Sequence, residues 1–189
     1  MRAPTVVLAR PRVLLVALLL VAGLVAVIFS MRLAFAAPGT LLATVTLPSN
    51  SGCNVGIAFD GTYVMTIDDG ACYGQEIGIY TPPAGNGAAT LVATKTVKDS
   101  LGNLVDISVI DWDPSRGKLW ASYNGAVYLV DIGNPAVTAD ALATFQFNTG
   151  VGGIALTDGL AWDASDDTLY VSPDVNLNVY QFSTAGVLL

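Results

Sequence analysis

The chain has 189 residues, 53% hydrophobic and 12% charged, with 15 acids, 8 bases and no histidine. A chain this apolar can bury a core, and its 19 glycines keep no triplet period, so disorder and collagen are excluded. The acidic balance argues against a nucleic-acid partner, and the missing histidine removes Ser-His-Asp and Cys-His nucleophiles and every His-bound metal.

Arg2, Arg10 and Arg12 precede an apolar run from Val13 to Phe29, followed by Ala34-Phe35-Ala36-Ala37-Pro38. A positive start, an apolar helix and a small-x-small site read as a secretory signal over residues 1–36, cut between Ala36 and Ala37. The alternative is an uncleaved anchor, because 17 apolar residues reach the lower limit for crossing a bilayer. Three arginines before the run and one after it (Arg32) keep the N-terminus cytoplasmic in both cases. The remainder is therefore secreted or extracytoplasmic, touching a membrane only through residues 13–29 if the signal is kept.

Residues 37–189 hold all 15 acids but only four bases, Lys95, Lys98, Arg116 and Lys118. Fourteen of the acids are Asp and one, Glu76, is Glu. Asp favours turns where Glu favours helices, so the bias points to a loop-rich β protein.

Three segments can be laid over one another. They are Gly56-Ile57-Ala58-Phe59-Asp60 with Tyr63–Thr66, Val109-Ile110-Asp111-Trp112-Asp113 with Leu119–Ser122, and Gly159-Leu160-Ala161-Trp162-Asp163 with Leu169–Ser172. The last two align without a gap from Trp112/Trp162 to Ser122/Ser172, an offset of 50. In each, two strands flank an Asp-led turn. A third strand follows in Ile77–Tyr80, Val127–Val130 and Val179–Phe182, and Asn124-Gly125 signals a two-residue hairpin before the second of these. A fourth strand comes at Thr90–Thr94 and Ala141–Phe145, and Gly186–Leu189 begins another.

Four short strands per repeat of about 50 residues, with no helical period after the signal, predict an all-β propeller segment of about three blades. The blades run roughly over 53–98, 101–147 and 153–189, with strand 40–47 as an outer closing strand. Immunoglobulin-like sandwiches need about 100 residues per unit and do not fit. Three blades fall short of a ring, so the chain reads as an arc, or a fragment of a longer propeller, whose end faces expose apolar surface open to self-association. Asp60, Asp113 and Asp163 are expected to open turns, and Trp112, Trp120 and Trp162 to pack between blades. Tyr73, Tyr123 and Pro173, near loops, are the better ligand contacts.

Gly-Leu-Ala-Trp-Asp, a turn, Leu-Tyr-Val-Ser and then Val-Tyr-Gln-Phe resemble the blades of secreted NHL/YncE-type propellers. They are also similar to the senescence-marker/gluconolactonase group of six-bladed propellers. That second likeness implies calcium or another divalent ion in a central channel, held by oxygen ligands, with Asp158 as a metal ligand and base. The matching positions of the other repeats are Ser108 and Val55, which break the pattern; Asn54 and Asp106 come close only in a shifted register. A turn-capping role for Asp158 stands beside the metal one.

Cys53 and Cys72 are the only cysteines. If a tight turn at Gly61 pairs residues whose numbers sum to 121–123, both lie at one end of a sheet. Outside the cytoplasm they are expected to form a disulfide, contributing about 3 kcal/mol. Two functions remain: a non-catalytic module for an extracellular ligand or protein, and a metal-dependent hydrolase resembling lactonases.

Overall fold

The computed structural model describes residues 41–48, 56–67, 73–151, 157–173 and 177–189. The signal, the Ala36/Ala37 site, Cys53, Asn54, Val55 and Cys72 lie outside them. The described residues are all-β, with no helix. After β1 (Val45–Thr46), the first repeat supplies β2 (Ile57–Phe59), β3 (Val64–Ile67), β4 (Glu76–Thr81), the short β5 (Gly87–Ala88) and β6 (Thr90–Lys98). The second supplies β7 (Val109–Asp113), β8 (Lys118–Tyr123), β9 (Ala126–Asp131) and β10 (Ala141–Asn148). The third supplies β11 (Thr157–Asp163), β12 (Thr168–Pro173) and β13 (Tyr180–Ser183).

Register carries the repeat into three dimensions. Trp112 pairs with Leu119 and Asp111 with Trp120 in the second repeat; Trp162 pairs with Leu169 and Ala161 with Tyr170 in the third. The first repeat turns more tightly. There Ile57 pairs with Thr66 and Phe59 with Val64, the register assumed for the Cys53–Cys72 argument. Its turn needs Gly61 at φ 98°, a conformation that other residues adopt only under strain.

Each turn is opened by its aspartate. Asp60 Oδ1 accepts from the backbone N–H groups of Thr62 and Tyr63 at 2.8 and 2.7 Å. Asp113 Oδ1 accepts from those of Ser115 and Arg116 at 2.9 and 3.1 Å, and Asp163 Oδ1 from that of Ser165 at 2.8 Å. A short carboxylate that satisfies two orphan donors favours the turn over a continued strand.

The first two repeats join into one eight-stranded sheet, ordered β2-β3-β4-β6-β10-β9-β8-β7. The join is a parallel ladder of two pairs, Val97 with Ala141 and Lys98 with Leu142. The end strands β2 and β7 lie against each other, so the sheet is barrel-like and nearly closed, an arrangement compatible with a propeller. Strands β11-β12-β13 form a separate sheet. The tail continues it: Ser183 N–H donates to Val187 O at 2.8 Å and Leu189 N–H to Gln181 O at 2.9 Å, so residues 187–189 take the fourth-strand position. Strand β1 makes a two-residue parallel ladder with β5.

The core has two parts, and the second repeat borders both. Met65, Ile67, Ile77 and Ile79 meet Ile110, Leu119, Ala121 and Val130 between the first and second repeats. On its opposite face Trp120 and Val127 meet Leu169, Val171 and Phe182 of the third. Alternate residues of β8 thus face different neighbours, and both faces are covered. That is why Leu119-Trp120-Ala121 is apolar without alternation.

Candidate ligand cleft

The β8–β9 hairpin turns on Asn124 and Gly125, with φ of 51° and 78°, the pair of left-handed positions that Asn-Gly suits best. Beside it runs the connection between β6 and β7. That connection is folded by Asp99, whose carboxylate accepts from the N–H groups of Leu101 and Asn103 and from the Asn103 amide at 2.8–2.9 Å. These bonds hold Asp99 below the usual carboxylate range. Further on, Ile107 and Gly74 exchange backbone hydrogen bonds of 2.7 and 2.8 Å. This bridge brings the approach to β4 alongside, so that the Gln75 amide donates to Asp106 Oδ1 at 2.6 Å.

Tyr73 stacks on Tyr123 with ring centroids 4.7 Å apart and planes at 21°. Below the pair opens a cleft of about 420 Å³, lined by Asp99, Asp106, Tyr123, Tyr128, Gln146 and Asn148 among others. Burial first, then the Tyr73 hydroxyl and the Asp106 carboxylate, push the Tyr123 phenol upward. Burial and Asp106 do the same at Tyr128. Both phenols therefore keep their protons at neutral pH and can donate. With the amides of Gln146 and Asn148 they give the cleft donors, acceptors and ring faces together, the composition of a binding site.

Two of the three loop candidates meet here, Tyr73 and Tyr123. Pro173 does not; it ends β12, buried opposite Thr157. Asp106 reaches the cleft from the connection, whereas Gln146 and Asn148 arrive from β10. No local pattern marks those two, because only the pairing of β10 with β9 brings them beside the hairpin.

Asp158 lies elsewhere, exposed where the pairing of β11 with β12 slips between Thr157 and Gly159. Among the described residues no group of three or more His, Cys, Asp or Glu side chains comes together to hold a metal ion. Ser108, the matching position in the second repeat, is buried and joins two repeats: its hydroxyl lies within hydrogen-bond distance of the carbonyls of Ser122 (3.0 Å) and Thr157 (3.1 Å). The three tryptophans pack between repeats as expected, Trp120 and Trp162 in the second core and Trp112 against the first.

Asp167, in the turn between β11 and β12, does more than shape that turn. Asp167 takes a bidentate pair of bonds from Arg116, each 2.7 Å, and accepts from the Trp162 indole at 3.0 Å. Arg116 also holds Asp113 at 2.6 Å and lies 5.7 Å from the Trp120 ring centroid. The result is a clamp between the second and third repeats.

The chain matches no family model and no curated protein.

Proposed function

We propose that the chain is an exported, non-catalytic binding module whose repeats are blades of an NHL/YncE-like propeller. In this reading the cleft beside Tyr123 receives an extracellular ligand. The shared register of the second and third repeats, and the buried apolar side chains between successive repeats, support the blade assignment. The N-terminal signal pattern supports export. The observation that carries the binding role is the cleft itself. Its walls offer phenols, amides and carboxylates around an open volume of about 420 Å³, at the hairpin end of packed repeats, where connecting loops are free to vary.

Thermal unfolding of the full chain with calcium and with a chelator tests this against the hydrolase alternative. A bound channel ion stabilises the native state in proportion to its occupancy. Superimposable curves are expected. A clear rise in calcium, abolished by Asp158→Asn, would overturn the non-catalytic reading.

A further inference from the structure

Bases are scarce in residues 37–189, and every one is engaged. Lys95 is 1% exposed and donates from Nζ to the carbonyls of Asn134, at 2.8 Å, and Val137. Lys98 pairs with Asp140, Arg116 with Asp113 and Asp167, and Lys118 with Asp131. The cleft holds two carboxylates, Asp99 and Asp106, and no base lines it. Asp99 spends its oxygens on its own turn but keeps its charge. Asp106 gives Oδ1 to Gln75, and no other hydrogen bond to its carboxylate is made among the described residues.

We propose that this cleft takes an organic cation, an alkylammonium or guanidinium group carried by a polyamine or by a basic peptide. The proposal rests on the binding role above and gives it a ligand class. An anion meets two carboxylates there with no counter-charge. A neutral ligand strips water from those carboxylates without replacing the charge interaction. A cation satisfies both, and the faces of Tyr123 and Tyr128 add to its attraction. An excess of acids over the whole exported segment also steers cations toward it.

Calorimetric titration of the full chain with spermidine and with the blocked peptide acetyl-Gly-Arg-Gly-amide tests the idea. Acetyl-Gly-Glu-Gly-amide and maltotriose are the anionic and neutral probes. Binding of at least one cation is expected, weakened by added salt, and the stronger of the two identifies the source. Asp106→Asn should weaken it about threefold to fivefold, the ceiling for a partly exposed ion pair, while Asp158→Asn outside the cleft leaves it unchanged. Should Asp106→Asn not fold, Tyr123→Leu is expected to give a comparable loss. Equal weakening by Asp158→Asn would reduce the effect to general charge and overturn the site. Binding of maltotriose alone would overturn the cation but leave the binding role standing. No binding by any probe would overturn the cation as ligand.

Discussion

The second repeat makes two contacts of different chemistry. Toward the first repeat it offers aliphatic side chains, a two-pair parallel ladder, and two backbone carbonyls that receive Lys95. Toward the third it offers Trp120 and a polar seam. Asp111 accepts from the Trp162 N–H at 2.7 Å, Ser122 shares a 3.0 Å hydrogen bond with Thr157, and Arg116 spans two aspartates. One contact fixes its geometry by continuing a sheet, and the other by hydrogen bonds between separate sheets. Where no strand pairing aligns two elements, directional polar contacts have to.

Breaking the Trp120 contact should have the largest effect. Trp120→Ala removes a ring that is 1% exposed and should lower the unfolding free energy by about 4 kcal/mol in urea titration. Amide exchange should rise first in β11–β13. Next comes Asp113→Asn, which withdraws a fully buried carboxylate from Arg116 and the Trp120 indole and should cost about 2 kcal/mol at pH 7. Burial alone would raise that carboxyl, yet the bonds from Ser115, Arg116 and Trp120 hold it below its ordinary value. Its contribution is therefore complete above about pH 4 and disappears as pH falls through the lowered native value. Urea titrations at descending pH should show variant and wild type converging.

The contact on the other side should also gain stability as pH rises, but in the alkaline range instead of the acid one. Burial lowers the Lys95 ammonium, so the native state binds fewer protons than the unfolded chain, and stability rises with pH up to about 10.4. Lys95→Met should lose this alkaline gain and change stability by about 1 kcal/mol or less at pH 7, since the relief of a buried cation's desolvation offsets the loss of its bonds to two backbone carbonyls.

The smallest effect on stability belongs to the uncovered end. Phe59 holds the repeat position of Trp112 and Trp162, but no other repeat covers it among the described residues, and it is 55% exposed beside Ile57 at 67%. Phe59→Ser should change stability by less than about 0.5 kcal/mol and reduce any association seen by light scattering. A large loss of stability would show that something covers this face. The opposite end also exposes apolar side chains: Val179 is 65%, Val187 59% and Leu189 66% exposed, beside the half-buried Tyr170 and Gln181. Association, where it occurs, therefore has apolar surface at both ends.

Strands and turns were legible because their causes are local. Asp113 and Asp163 cap turns within three residues of themselves, and Asn124-Gly125 sets its hairpin alone. What escaped depends on partners distant in sequence. Lys95 sits in an alternating strand that reads as half-exposed, yet it shares the inward face with Ala93 and Val97, since its acceptors come from the β9–β10 connection. Asp167 looks like a turn acid until Arg116, 51 residues earlier, closes on it. Tyr73 and Tyr123 were singled out separately, but their stacking depends on the bridge between Gly74 and Ile107. The cleft was thus visible as residues and invisible as a place.

The engagement of Lys95, Lys98, Arg116 and Lys118 also bears on resistance to proteolysis. A protease of tryptic specificity must draw a lysine or arginine, with several neighbours, into an extended strand in its own groove. Here Lys95, Arg116 and Lys118 lie in or beside paired strands, and Lys98 ends one, with each side chain already held by a partner. Cutting at any of the four requires local opening first, so the rate follows the population of opened chains and not the number of sites. Among the described residues such an enzyme then has little to grip until the repeats come apart.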